Sequence, residues 1–443
     1  MIEVIVAMMI FAIISVGVSY SLLSAFTITN DARSRAVATN LAAQEIDLDR
    51  SAADFFGLVS TTTPKLVQVP AGTGLTYSIS RTVSLVYGSG GDVDCNSSSA
   101  SSMLYKRIHV AITWPKMIGT AVVADTLLAP STKISIDTLG TILVSTRTSA
   151  GAPLAGVTVA VSPNPGSTPT PTDSLGCGYV LKVPPGTYSV QVSKTGYIDP
   201  FQNQTPSKTV TVNAGQSTSA GFTLDKYGTV GWSYQSTSGA ALPNNLVTSF
   251  MSTYGVYQTP ATTPTTAQLY PSTEYDVVAG SYVPTTGPGT GCPSVNPAAW
   301  PSYTNTAGKT VAAAAPASVS FPPGPTGTVP AGTLGMGAIT ITNPTAQTTN
   351  LYVVATSAAS FVSGDPGCTG APQSITFGQI LGKAKSSTVT IALPYGAWTL
   401  KIGTSATPTT AVASTSLSVP TGASGVTIAS SGAFTFDPRV VQP

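Results

Sequence analysis

From Ile2 the chain reads Ile2-Glu3-Val4-Ile5-Val6-Ala7-Met8-Met9-Ile10-Phe11-Ala12-Ile13-Ile14, and after Glu3 no charged side chain occurs before Asp31. A run of this length is what a bilayer-spanning helix needs, since about 20 apolar residues at about 1.5 Å each cross the hydrocarbon core. Apart from Glu3, Ser15, Gly17, Ser19, Ser21, Ser24, Thr27 and Thr29, residues 1–29 are apolar all round, so this half must be surrounded by lipid or by other helices. From Asn30 the pattern turns amphipathic. Val37, Leu41, Leu48, Ala52 and Phe55 recur at three- and four-residue spacing, while Asp31, Arg33, Arg35, Asp47 and Asp49 lie off that stripe. The spacing predicts one helix over 1–56, with 1–29 apolar and 30–56 clamped onto a sheet.

The period then changes to two. Leu75, Tyr77, Ile79, Val83 and Leu85 alternate with Thr76, Ser78, Ser80, Thr82 and Ser84, and Ile108, Val110, Ile112 and Trp114 alternate with Arg107, His109, Ala111 and Thr113. With 120–128 these predict an antiparallel sheet within 57–139 for the helix stripe to pack on. From Gly140 short strands and Pro/Gly turns follow one another. Val183-Pro184-Pro185-Gly186-Thr187-Tyr188 is echoed by Leu393-Pro394-Tyr395-Gly396-Ala397-Trp398, and Gly221-Phe222-Thr223-Leu224-Asp225 by Gly432-Ala433-Phe434-Thr435-Phe436-Asp437. Such recurrence marks repeated units. It predicts three β-sandwiches in series over 140–225, 226–334 and 335–443, so that the whole chain is of the α+β class. In the middle, least regular unit, Tyr254, Tyr257, Tyr270, Tyr275, Tyr282, Trp300 and Tyr303 fall on Pro/Thr/Gly-rich loops. There they either cap the sandwich ends or stand exposed for sugar or surface ligands.

Composition sharpens this picture. A length of 443 residues holds three or four folding units, and 8% charged residues with 42 Gly and 35 Pro suit many short strands and turns rather than a helical enzyme core. The net charge of +2 gives no electrostatic footprint for nucleic acid. The four cysteines, Cys95, Cys177, Cys292 and Cys368, lie far apart without metal-ligand spacing. Two disulfides in an exported chain are expected, each stabilising its region by about 2–4 kcal/mol. Of the three possible connectivities, Cys95–Cys177 with Cys292–Cys368 pairs neighbouring units; free buried thiols are the alternative.

Ile2-Glu3-Val4-Ile5-Val6-Ala7-Met8 resembles the mature N-terminus of type IV pilins and type II secretion pseudopilins. The resemblance implies a prepilin cleaved by a dedicated peptidase, methylated at its new terminus, held in the membrane, and then packed helix against helix into a filament. Glu3 matches the family's glutamate, whose partner during assembly is the neighbouring subunit's amine, and Val4, Ile5, Met8, Phe11, Ile14 and Gly17 become the assembly surface. The family carries two further residues ahead of the position Met1 holds, and a charged leader before those, so Met1 receives no role as the mature terminus. Many pilins lose helical structure in the filament near a proline; with no Pro before Pro64, Ser15 to Ser21 is the candidate stretch here. Asn40-Leu41-Ala42-Ala43-Gln44-Glu45 is similar to minor pilins and pseudopilins. Over 140–225 the order of motifs, ending in Lys194-Thr195-Gly196-Tyr197 and its closing strand, is similar to carboxypeptidase-regulatory-like domains. That likeness implies a transthyretin-like or Cna-B-like seven-strand sandwich with no chemistry of its own.

Enzymatic chemistry needs an activated group beside a partner. The chain has one histidine, His109, on the polar face of a predicted strand, and no G-x-S-x-G, H-E-x-x-H or phosphate-binding glycine loop. No catalytic residue and no cofactor are expected. Asp92, Asp94 and Asn96 have the D-x-D-x-N spacing of calcium ligands but lack the Gly and Glu of an EF-hand loop, so an Asx-rich turn is the simpler reading. Asn96-Ser97-Ser98 and Asn203-Gln204-Thr205 fit the N-glycosylation pattern. The sequence thus leads to a type IV pilin-like subunit of a surface filament. Its partners are copies of itself or other pilins in a helical filament, the membrane before assembly, the assembly machinery and peptidase, and surface glycans or other surfaces outside. A pseudopilin of a secretion or DNA-uptake machine, or a membrane-anchored adhesin that does not polymerise, are the alternatives.

Overall fold

The computed structural model describes residues 2–52, 55, 58–61, 63–72, 74–87, 95, 96, 98, 103–129, 136–235, 239–284, 292–368 and 372–442. The chain forms one N-terminal helix followed by many β-sheets in sandwich-like domains. It divides into two compact units, the first made of 1–195 and 205–224 and the second of 196–204 and 225–443.

In the first unit, helix α1 (Ile2–Ser51) is unbroken for 50 residues. Its second half lies on a four-stranded antiparallel sheet of β1 (Lys65–Val69), β2 (Leu75–Tyr87), β3 (Met103–Thr113) and β4 (Val122–Leu128), in that order. Alternation places Tyr77, Ile79 and Val83 of β2 and Ile108, Val110 and Ile112 of β3 on the helix side, where they pack on Ala38 and Ala42. The helix face in contact coincides with the expected stripe only in part: Val37 and Leu41 pack against this core, but its centre is Ala38 and Ala42. Ala38, Ala42 and Asp49 are buried and Leu48 is 52% exposed, because small side chains at i and i+4 let a flat sheet approach the helix axis more closely than leucines do.

The same unit holds the first sandwich. One sheet is β10 (Ser207–Val212), β8 (Gly186–Ser193) and β6 (Thr158–Ser162); the other is β11 (Ser217–Thr223), β5 (Gly140–Arg147) and β7 (Cys177–Val183), with β11 parallel to β5. This is three strands on three rather than the expected seven, since β9 (Tyr197–Ile198) pairs instead with β12 (Asp225–Lys226) in the second unit. Helix sheet and sandwich are joined by a small core of Leu85, Tyr87, Leu143 and Tyr179 around the Cys95–Cys177 disulfide. Hydrogen bonds add to the join: the Ser174 hydroxyl donates to Ser60 O over 3.1 Å and that of Ser219 to Cys95 O.

In the second unit β13 (Gly228–Gln235) pairs in parallel with the strand Thr328–Gly335, as β5 does with β11. β14 (Thr248–Ser252) turns through Thr253 and Tyr254 into the edge strand β15 (Gly255–Gln258), while β16 (Thr266–Leu269) joins β13 and β17 (Glu274–Ala279) joins β14. The expected boundary at 334/335 falls within a strand, and one hydrophobic core runs from Val230 and Phe250 to Trp398 and Phe436. The last two sandwiches are therefore a fused pair. The Cys292–Cys368 disulfide and Arg439 fasten them; the Arg439 guanidinium grips Asp437, donates to Pro301 O and Ser363 O, and stacks 5.1 Å from Trp300 and 5.0 Å from Tyr303.

The internal echo has a structural counterpart. β8 and the strand Gly396–Gly403 each begin after a Pro-X-Gly crossing from one sheet to the other. In each, the aromatic two residues after Gly donates back to the proline carbonyl: Tyr188 Oη to Pro184 O at 3.0 Å and Trp398 Nε1 to Pro394 O at 2.9 Å. The closing strands do not correspond. β11 pairs in parallel with the first strand of its sandwich, whereas Phe434–Phe436 pairs antiparallel with Gly396–Gly403.

Candidate assembly helix and its seat

The apolar half of α1 has no cover among the described residues. Every residue from Ile2 to Asn30 is exposed except the half-buried Ser15, including Val4, Ile5, Met8, Ile14 and Phe11, which is 72% exposed. Glu3 lies beside a shallow recess formed with Val4, Ala7, Met8 and Phe11, a carboxylate set among apolar side chains about one turn apart. Gly17 meets nothing that a Cβ would strike, so packing within the chain does not require it there. The helix continues through Ser15 to Ser21 in the single chain. Ser19, Thr27 and Thr29 turn their hydroxyls back onto carbonyls four residues earlier at 2.8 Å, which hides their polarity from an apolar medium.

The second half is held at both ends by charged groups. Near its top the Asp31 carboxylate accepts from Arg35 Nε at 3.0 Å and from Ile118 N at 3.2 Å, while Arg35 also donates to Ile118 O and lies 5.7 Å from the Trp114 ring. Glu45 pairs with Lys65 lower down. At the foot Asp49, 3% exposed, takes Arg81 on Oδ1, and its Oδ2 has no partner among the described residues. Burial outweighs the pull of Arg81 and raises the Asp49 pKa above the usual carboxylate value. Arg50 donates to Thr126 Oγ1 at 2.6 Å, and the buried Lys106 donates to Leu58 O at 2.7 Å.

Asp31, Arg35 and Asp49 are thus clamps rather than a solvated face; Arg33 and Asp47 remain exposed. The sequence carried an unused signal for this. Arg81 has the same parity as Tyr77, Ile79, Val83 and Leu85, so it had to point at the helix, and Asp49 falls seven residues after Ala42, on the same helix face.

The remaining candidates are scattered. Asp92 and Asp94 lie outside the described residues, and among the described residues no cluster of His, Cys, Asp and Glu could hold a metal ion. Asn96 accepts from Ser145 Oγ, and Asn203 is exposed in a turn where its N–H donates to Asp199 Oδ1 at 2.8 Å. Cys95, Cys177, Cys292 and Cys368 form the two disulfides described above. His109 pairs across the strands with Asp125 at 2.8 Å on the open face of the sheet. Of the loop aromatics, Tyr270, Tyr275 and Trp300 are buried, whereas Tyr254 and Tyr303 are exposed.

Residues 141–225 match the family model of the carboxypeptidase regulatory-like domain, which covers the first sandwich and no more. No curated protein matches the chain. Among solved structures, the Bacillus anthracis TIE protein is similar over 83% of this chain and 73% of its own, at 12% identity and a TM-score of 0.21. A streptococcal ancillary pilin matches 43% of this chain and 71% of its own at 13% identity and a TM-score of 0.18. The major pilin subunit of Bacillus cereus matches 61% and 92% at 11% identity and a TM-score of 0.15. Superpositions this loose carry no argument about fold or function.

Proposed function

We propose that the chain is a type IV pilin-like structural subunit of an extracellular surface filament, assembled through residues 2–29 of α1. The observation that carries this reading is the contrast within one helix: its most hydrophobic half, long and apolar enough to cross a membrane, is the half that the described residues leave bare. Such a surface is stable only in lipid or against other helices. The reading places the subunit in the membrane before assembly, where the assembly machinery and prepilin peptidase act on it. Packing against sibling helices then buries about 40 Å of helix per subunit in the filament.

Glu3 sets the axial register, because any offset from a neighbour's terminal amine leaves a charge unpaired in an apolar medium. The sandwiches project outward as the surface the filament offers for contact. The role is structural, without catalysis or cofactor.

The test is Glu3→Ala expressed in the cell of origin. The variant is expected to be present at normal level in the membrane fraction and absent from filaments sheared off the surface. Normal incorporation would overturn the register argument, and a wild-type chain found only as membrane monomers would favour an anchored adhesin.

A further inference from the structure

In the second unit, one exposed aromatic pair is held out by a rigid framework rather than packed away. Phe201, 71% exposed, sits in the turn 199–203, where Asp199 Oδ1 accepts from Phe201 N at 2.9 Å and from Asn203 N at 2.8 Å. The next residue, Gln202, is in the left-handed region at φ 65°, which costs a non-glycine residue strain and persists only where its surroundings enforce it. They do: its amide donates to Tyr275 Oη at 3.0 Å and accepts from Tyr270 N at 2.6 Å. Tyr254, 43% exposed, is at the tip of the two-residue turn between β14 and β15. Its ring meets Phe201 edge-on at 6.4 Å and 72°, and Tyr270 at 5.9 Å and 82°.

A cleft of about 250 Å³ opens beside this pair, floored by Tyr257 and β15. Four features define what it can take. Its lining contains no Asp, Glu, Lys, Arg or His, so it offers nothing to an ionic ligand. Two rings at a wide angle make a corner, which suits the C–H face of one saturated ring rather than the pair of parallel ridges that cradle a proline-rich peptide. Hydrogen-bonding capacity is at hand: β15 is an edge strand whose outer backbone groups are unpaired within its sheet, and the Tyr257 hydroxyl has no partner among the described residues. The small volume fits a short saccharide better than a folded partner.

We infer that the corner formed by Phe201, Tyr254 and Tyr257 is a binding site for an uncharged hexopyranose unit of an oligosaccharide. The site stands on the second unit alone and does not depend on the filament reading; it names one contact that the displayed surface makes.

The experiment is saturation-transfer NMR and calorimetry on the full chain in a detergent without sugar headgroups, with cellohexaose, maltohexaose and mannohexaose as probes. At least one is expected to bind, with saturation strongest on ring C–H protons. Phe201→Ala and Tyr254→Ala should each weaken binding by about tenfold or more, and Tyr257→Phe should weaken it less. Phe201 is mostly exposed, so its variant keeps the fold, as an unchanged melting profile will report. Failure of all three sugars to bind at millimolar concentration, binding indifferent to Phe201→Ala and Tyr254→Ala, or capture of an extended proline-rich peptide in place of sugar would each overturn the proposal.

Discussion

The two halves of α1 obey opposite rules although they are one helix. Residues 2–29 are the most hydrophobic stretch of the chain and stand bare, while 31–49 carry six acids and arginines and are seated on a sheet. Hydrophobicity alone therefore does not say what a chain buries within itself. The second half is covered because its seam is narrow, with Ala38 and Ala42 at the centre and ion pairs at either end. The first half, ringed with Ile, Val, Met and Phe, is too broad for one sheet face and needs cover on all sides.

Removing residues 2–29 is the harshest test of this division. The remaining chain is expected to lose all detergent and membrane association, yet to move in Tm by under about 2 °C, since the deleted side chains stand clear of the unit. A large fall in Tm would erase the distinction between the halves. Within the seat, Asp49→Ala should cost about 3 kcal/mol in the unfolding transition of the first unit, because it strands Arg81 beside the core. Ala42→Leu should cost about 1–3 kcal/mol by forcing the helix off the sheet, and an unchanged stability would mean that the seam is loose.

The pH response sharpens the comparison further. A folded-state pKa raised by burial means that Asp49 contributes stability present at low pH and lost as pH rises through that value. Wild type should therefore gain on Asp49→Asn as pH falls from neutrality towards the ordinary carboxylate value, and a gap independent of pH would contradict this. At the mild end, Leu48→Ser, on the open side of the same turn, should shift stability by no more than about 0.5 kcal/mol.

Much of this was legible beforehand. The long helix, the alternating strands and the Pro-X-Gly echo each rest on periodicities that neighbouring residues impose locally. The helix stripe picks out Val37 and Leu41, which do pack on the sheet, but it also takes in Leu48 and Ala52, which stay exposed, and passes over Ala38 and Ala42, because apolar size is a poor guide where close approach decides. Three separate sandwiches were expected because each shows its own strand pattern. Nothing in a strand pattern reports that residues 241–245 will lie against 374–376 and 390–392, as the bonds Ala241 N to Thr390 O and Asn244 N to Thr376 O do at 2.8 Å.

By itself, then, the sequence determined where helix and strands form and that one stretch is too apolar to stand in water, since those follow from side chains and their spacing. Which residues of α1 form the centre of its seat, that the last two sandwiches share a core, and that Phe201 stands beside Tyr254 emerge only once the chain has folded. Each of these depends on residues tens to hundreds of positions apart reaching one place, and the free energy of such contacts exists only after the chain has closed around them.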